Sequence, residues 1–190
     1  MLFRQRAKTA RLIVVEDRRD DALGFVDHLQ QVDVLRGVHE EIRERQMEKR
    51  YVALMHGHLP ARLTSISAAL ASDREQGAEK RARVKSDGKA SQTLVENVEP
   101  VGPHSLVSLR LVTGRMHQIR AHAQHIGHPV AGDRLYGDPD FDAELAALGL
   151  ERLFLHASSL AFEADGRRLA VSAPLPPALA DVLDRLRTSA

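Results

Sequence analysis

Residues 111 to 137, LVTGRMHQIRAHAQHIGHPVAGDRLYG, concentrate side chains that could do chemistry. Four of the chain's ten histidines and three of its arginines lie in this stretch. Imidazoles serve as metal ligands, acid–base groups or hydrogen-bonding groups, and guanidinium groups bind carboxylates and phosphates. The stretch therefore fits three hypotheses: a metal site, a structural helix with polar histidines, or a site for a polyanion such as nucleic acid.

Metal binding fits helical geometry poorly. His122 and His125 are three positions apart and share a helix face, but His117 lies about 140° away from that face at ~100° per residue. The sequence has no cysteine and no HExxH pattern, which removes the commonest zinc arrangements. We therefore expect no metal site. A purely structural role for any single histidine stays open.

Arg120 favours the polyanion hypothesis. The apolar residues that recur at the spacing of one buried helix face are Met116, Ile119, Ala123 and Ile126. Arg120 lies roughly 80° from the centre of that face, at its border. A partly buried guanidinium needs a carboxylate, phosphate or carbonyl partner, because an unpaired buried charge is very costly. The spacing predicts an anion beside Arg120 but does not identify it.

The elements around this stretch predict an α+β fold with a mainly antiparallel, mixed sheet flanked by helices. The pattern predicts a helix over 34–46, a strand over 51–56, hairpins within 61–100, a strand over 105–113, a helix over 115–126 that ends at Gly127, a hairpin around 164–167 and a C-terminal helix. This order lacks the regular strand–helix alternation of a doubly wound sheet.

Length and composition indicate one domain of an ordinary soluble protein. The chain has 190 residues, 43% hydrophobic and 28% charged, with a net charge of +1. No apolar stretch approaches the roughly 20 residues that cross a bilayer, so we expect a cytoplasmic protein with no membrane partner. The densest basic run contains Lys80, Arg81, Arg83, Lys85 and Lys89. Such a run can bind RNA or can simply be solvated surface.

The amino-acid sequences of these segments resemble the motifs of a known family. VTGRMHQIRAHAQHIGHPVAGDRLYGD is similar to the TGRxHQIRxH…GHPI.GDxxYG signature of the RluA-type pseudouridine synthases. LRGVHEEIRERQMEKRYVALMHG resembles the helix and strand of the family's tyrosine motif, DGKASQT its GKxSxT segment and RLFLHASSLAF its late strand. The resemblance covers residues 34 to about 187. It is strongest with the branch that modifies large-subunit ribosomal RNA at several uridines.

The resemblance implies an enzyme that converts uridine to pseudouridine within RNA, without cofactor or metal. An aspartate attacks a flipped-out nucleotide, and the uracil is detached, rotated and rejoined through carbon before the aspartate is released. The implied partner is RNA, in particular large-subunit ribosomal RNA, and we expect a monomer.

Three residues match catalytic positions of that family. Tyr51 matches the tyrosine that packs on the target base and assists proton removal, Arg120 the arginine that pairs with the catalytic aspartate, and Leu155 the apolar residue of the pocket floor. Leu155 could equally serve as core packing. The residues expected to contact RNA are Lys49, Arg50, Arg115, His117, Gln118 and His122.

The catalytic aspartate itself has no match. The family motif HRLDxxTSG is absent, and counting back from His39 places the aspartate position on Arg19. We therefore predict a non-family-like or degenerate segment over residues 1–33 and the C-terminal portion of a catalytic domain over residues 34–190. Asp20 and Asp21 are the weak substitute candidates. A shifted reading frame or a truncated copy would give this pattern, so an inactive RNA-binding remnant is the alternative function.

Overall fold

The computed structural model describes residues 11–12, 47–73, 80–164 and 167–188. In chain order, the strands are β1 (Arg11–Leu12), β2 (Glu48–Met55), β3 (Ser65–Ser67), β4 (Leu70–Asp73), β5 (Arg81–Val84), β6 (Gln92–Val101), β7 (His104–Leu111), β8 (Leu155–Ala164) and β9 (Arg167–Ser172). The helices are α1 (Gln118–His125), α2 (Pro139–Ala147) and α3 (Pro177–Thr188). The predicted α+β class is confirmed.

One sheet of seven strands carries the fold. Its order is β1-β9-β8-β2-β7-β6-β3, and every described neighbouring pair is antiparallel, as the sequence predicts for most of the sheet. The predicted hairpin around residues 164–167 joins β8 to β9. Strands β4 and β5 pair only with each other, as a separate hairpin.

The sheet has two differently covered faces, because successive residues of a strand point to opposite sides. In β2, Tyr51, Ala53 and Met55 pack on the side that carries Ile119 and Ala123 of α1, which we call the α1 face. Leu54 packs on the other side, the back face, against α2 and α3. The back-face residues of α3 are Leu179, Val182, Leu183 and Leu186, the predicted core stripe of the C-terminal helix.

Helix α1 begins three residues later than the sequence predicts. Residues 115–117 form a turn, and His117 has a left-handed backbone conformation with φ 49°, so the helix starts at Gln118. As a result Met116 leaves the predicted stripe and packs with Leu70 and Tyr136 instead. The predicted left-handed end at Gly127 is confirmed, with φ 78°.

The sequence interpretation missed α2, although its ends carry clear signals. The Asp138 carboxylate accepts hydrogen bonds from the amides of Asp140 and Phe141, and Pro139 occupies the first helical position. Gly149 follows the helix with φ 90°. Phe141 and Leu145 of this helix are buried in the back-face core.

The β4–β5 hairpin packs on the outer side of α1, away from the sheet. Leu70 and Ala82 of the hairpin are buried against Ala121 and Tyr136. The Ala82 amide donates a hydrogen bond of 2.6 Å to the Tyr136 hydroxyl. Helix α1 is therefore enclosed between the sheet and this hairpin.

Two predictions lie mostly outside the described residues. The helix predicted over 34–46 lies outside the described residues, and of the segment 1–33 only β1 is described, paired antiparallel with β9 at the sheet edge. The division of the chain at residues 33 and 34 stays a prediction. No helix in the described ranges is long and apolar enough to cross a bilayer.

Candidate active site

Gln118 anchors the first turn of α1 to the neighbouring strand. Its side-chain amide nitrogen donates to the Gln92 carbonyl and the Thr93 hydroxyl, at 2.9 and 3.1 Å. Its carbonyl oxygen accepts from the Thr113 hydroxyl and the Arg115 amide, at 2.8 and 3.1 Å. The side chain is buried with all these groups satisfied. The hydrogen-bonding groups of Gln118 therefore face the protein in this structure, and its expected RNA contact stays a prediction.

His122 is also an internal residue. It is 0% exposed, its Nε2 lies 3.1 Å from the Ala68 carbonyl, and its Nδ1 lies 3.0 Å from the Thr93 hydroxyl. A carbonyl only accepts, so Nε2 carries the proton and Nδ1 accepts from Thr93. Burial lowers the pKa of His122, and His125 lowers it further, against the opposing effect of the Ala68 hydrogen bond. The ring is enclosed by the protein in this structure, and the expected RNA contact of His122 stays a prediction.

Acid is expected to weaken the folded state through His122. A histidine with a lowered folded-state pKa contributes stability above its unfolded pKa, here 6.5, and loses it as the pH falls through the folded value. His122→Phe keeps an aromatic ring but leaves the proton of the Thr93 hydroxyl without an acceptor and the Ala68 carbonyl without its donor, which costs roughly 1–3 kcal/mol at pH 7.5. The difference in the free energy of unfolding between wild type and His122→Phe, measured with urea, should become smaller as the pH drops below 6.5. A difference that becomes larger would contradict the assigned tautomer.

Arg120 has the anion that its position requires, and that anion is Asp133. The Arg120 Nε and one terminal nitrogen donate to the two Asp133 carboxylate oxygens, each at 2.6 Å. The side chains are 17% and 0% exposed, so the pair is largely withdrawn from water. The guanidinium carbon also lies 4.8 Å from the centre of the Tyr136 ring. Asp133 and Tyr136 together fix the plane and position of the Arg120 charge.

The Asp133 carboxylate is saturated by the protein. Besides Arg120, it accepts the backbone amides of Leu135 and Tyr136, each at 3.0 Å. Burial alone would raise the pKa of Asp133, but the hydrogen bonds and charge of Arg120 and the two amides lower it below its ordinary value. Asp133 is thus an ionised, enclosed group that positions Arg120 and has no exposed oxygen to attack a substrate.

Sequence reasoning did not assign a role to Asp133 or Tyr136. Both lie in the quoted stretch GDRLYG, thirteen and sixteen residues after Arg120. The signal was the requirement for a carboxylate near Arg120, combined with the only aspartate in the 111–137 stretch.

His117 lies at the start of α1, beside Tyr136. Its Nδ1 is 3.2 Å from the Tyr136 hydroxyl, and the two rings meet edge to face at 5.7 Å. Because that hydroxyl accepts the Ala82 amide, its own proton can be donated to His117. His117 is half-buried. It therefore joins the hairpin to the start of the helix, and an RNA contact stays a prediction.

Tyr51 and Leu155 lie together on the α1 face. Both pack against the buried cluster that also holds Ile119 and Ala123 of α1. In the sheet, Leu155 pairs with Ala53, two residues from Tyr51. Burial raises the pKa of Tyr51, so the phenol is neutral near pH 7. The structure brings the tyrosine and leucine to the same core as the helix that carries Arg120; their catalytic roles stay predictions.

Lys49 and Arg50 lie on opposite faces of the sheet. Lys49 lies on the α1 face with Tyr51. Its Nζ lies close to Gly114, at 3.8 Å from the position that a Cβ atom of that residue would take. Arg50 lies on the back face, where it binds Glu48 at 2.5 Å and Glu96 at 2.9 Å. The sheet separates Arg50 from Tyr51, and a contact of Arg50 with RNA stays a prediction.

The remaining candidates are the two aspartates named as substitute nucleophiles. Asp20 and Asp21 lie outside the described residues. Among the residues that are described, no group of three or more histidine, aspartate and glutamate side chains is arranged to hold a metal ion.

Comparisons with known proteins give a consistent result. A family model described as RNA pseudouridylate synthase matches residues 30–125. Ribosomal large subunit pseudouridine synthase C of Pasteurella multocida is 39% identical over 181 residues, which is 94% of this chain and 56% of that protein. Its counterpart in Escherichia coli K12 is 38% identical over 185 residues, covering 95% of this chain and 58% of that protein. The chain thus spans less than three-fifths of the length of these relatives.

Solved structures agree on the fold. Human RNA Pseudouridylate Synthase Domain Containing 1 superposes with a TM-score of 0.65 at 30% identity, over 80% of this chain and 69% of that one. Human RNA Pseudouridylate Synthase Domain Containing 4 gives a TM-score of 0.62 at 26% identity, over 82% and 68% of the respective chains.

Proposed function

The chain belongs to the RNA pseudouridylate synthase family, in its RluA-type group, and we propose that it forms the catalytic part of an enzyme that isomerises uridine to pseudouridine in large-subunit ribosomal RNA. The observation that carries this proposal is the Arg120–Asp133 pair, whose arginine lies on α1, the helix that packs Ile119 and Ala123 against the core of Tyr51 and Leu155. A cation fixed in this way is what a carboxylate nucleophile needs beside it to stay ionised.

The reaction breaks the N1–C1′ bond of uridine and forms a C5–C1′ bond; C5 loses its proton and the freed N1 takes one up, so the product is an isomer of the substrate. The target base must first leave its stack and enter a pocket. In the proposed arrangement Leu155 supplies an apolar wall, the Tyr51 ring packs on the base, and Arg120 holds the nucleophilic aspartate. Asp133 holds Arg120 in turn, by a bidentate contact that a lysine could not make.

Release of tritium from RNA labelled at uracil C5 tests this function. The purified chain is expected to release tritium from a large-subunit ribosomal RNA transcript. RNA binding in a filter assay without release of tritium would contradict the enzyme function and favour the alternative, an inactive RNA-binding remnant. Asp20→Asn and Asp21→Asn, assayed in parallel, test whether either residue supplies the nucleophile, since the loss of an essential carboxylate should abolish release.

Tyr51 gives the reaction a predicted pH dependence. Burial raises its pKa, so only a small fraction is phenolate at neutral pH. If the phenolate removes the C5 proton, tritium release should rise about tenfold per pH unit between pH 7 and 9. Tyr51→Phe should lose this rise and react roughly 10²–10⁴-fold more slowly. A wild-type rate independent of pH in this range would assign Tyr51 a packing role only.

The proposal includes RNA as the partner, a cytoplasmic location and a monomeric state. RNA affinity should fall as salt rises from 50 to 200 mM, because phosphate contacts release counterions. Size-exclusion chromatography with light scattering measures the oligomeric state. An affinity that ignores salt would contradict an RNA-binding surface.

A further inference from the structure

A pocket of about 300 Å³ lies between the β4–β5 hairpin and the turn before α1. The residues that line it are Leu70, Ala71, Ser72, Ala82, Asp87, Gly88, Lys89, Arg115 and Met116. None of Tyr51, Arg120 and Leu155 is among them. The pocket is therefore separate from the proposed site of reaction, although Arg115 precedes Arg120 by only five residues.

The wall of the pocket is mainly apolar and its edge is charged. Leu70 and Ala82 are buried and, with Met116, belong to one hydrophobic cluster. Arg115, Lys89 and Asp87 supply two cations and one carboxylate. Arg115 Nε is buried and has no hydrogen-bond partner within the described part of the chain. Leaving a buried donor unpaired costs about 1–3 kcal/mol. The Nε atom itself has no accessible surface, so a ligand in the pocket would meet the terminal guanidinium nitrogens of Arg115, which lines the pocket.

The side of the pocket formed by residues 87–89 is held against β4 by backbone contacts. Leu70 and Lys89 exchange two backbone hydrogen bonds, at 2.8 and 2.9 Å. The Gly88 amide donates to the Lys85 carbonyl at 3.0 Å. A Cβ on Gly88 would lie 2.7 Å from the Leu70 backbone, so only glycine permits this approach. The pocket is thus preformed, as most ligand sites are.

We propose that this pocket binds an unpaired nucleobase of the RNA other than the uridine that reacts. The inference rests on the proposed function, which makes RNA the substrate. A base offers flat apolar faces to Leu70, Ala82 and Met116, carbonyl oxygens to the donors of Arg115, and N–H groups to the Asp87 carboxylate. A bare phosphate fits less well, because Asp87 would repel it and the apolar wall would have no partner.

Methyl NMR of protein labelled at alanine and methionine methyl groups tests the proposal directly. The probes are a single-stranded uridine pentanucleotide and a ribose-phosphate pentamer of the same length that lacks bases, at one ionic strength. The pentanucleotide should shift the methyl signals of Ala71, Ala82 and Met116, and the base-free strand should not. Equal shifts with both strands, or no shifts at these methyls, would overturn the base pocket.

Two variants give the pocket assignment a second readout. Arg115→Met removes the unpaired donor and should raise the dissociation constant read at Ala82 and Met116 at least fivefold. Ala71→Leu fills the pocket and should abolish the shifts even if Arg115→Met does not fold. Arg187→Met makes the same charge change on α3, where the arginine pairs with Glu99. This control should bind as wild type does, and an equal loss in it would show a nonspecific charge effect and sink the proposal.

The two proposals, the base-binding pocket and the isomerase activity, can be contradicted independently of each other. Tritium release together with unshifted pocket methyls would remove the pocket alone. Shifted methyls without tritium release would remove the proposed isomerase activity and keep the base-binding pocket.

Discussion

Asp133→Asn is expected to lower the free energy of unfolding by about 3–5 kcal/mol, the usual cost of removing one partner of a buried ion pair. Arg120 would keep its charge at 17% exposure with an amide where the carboxylate was. Typical domains are stable by only about 5–15 kcal/mol, so the urea midpoint should fall by roughly 1–3 M.

Asparagine is the informative replacement because it isolates the charge. Its side-chain oxygen can still accept the amides of Leu135 and Tyr136, which bind Asp133 at 3.0 Å. Asp181→Asn, an exposed carboxylate on α3, is the matched control and should change stability by no more than about 0.5 kcal/mol. A loss below about 1 kcal/mol in Asp133→Asn would mean that the ion pair is solvated and weak.

The same carboxylate predicts a dependence on acid. The pKa of Asp133 is lowered in the folded state, so its contribution is fully present above the unfolded value of 3.8 and is lost as the pH falls through the folded value. The stability difference between wild type and Asp133→Asn should therefore hold from pH 5 to 8 and shrink below about pH 4.

Local patterns in the sequence were enough to predict the fold class and most elements. Period-two alternation predicted the strand over 105–113, observed as β7, and the helical stripe with Gly127 predicted α1. The start of α1 was mispredicted because it depends on the left-handed His117. That conformation puts the ring of His117 against Tyr136, nineteen residues away. Hydrophobic periodicity reports only local spacing, so it could not predict this contact.

The candidate site was predictable where one residue's chemistry demanded a partner, and unpredictable where burial decided the role. A border arginine required an anion, and the structure supplies Asp133. His122 and Arg50 are polar in sequence, yet one is enclosed by Thr93 and Ala68, and the other lies on the face opposite Tyr51. Which face or depth a polar residue takes depends on contacts between distant segments.

Arg120→Met combined with Asp133→Asn is expected to separate stability from catalysis. The double variant removes both charges of the Arg120–Asp133 pair, so it should be more stable than Asp133→Asn by about 1 kcal/mol or more, within the range of coupling energies for residues in contact. Tritium release should remain at least about a hundredfold below wild type, because the cation that we propose to hold the nucleophile in position is gone. Unfolding in urea and release from labelled transcript, measured on wild type, both single variants and the double variant, complete the cycle.

Recovery of stability together with wild-type release would show that Arg120 is only a structural partner of Asp133. If release is lost while stability recovers, the charge of Arg120 is required for the reaction itself, and Asp133 acts on catalysis through that arginine.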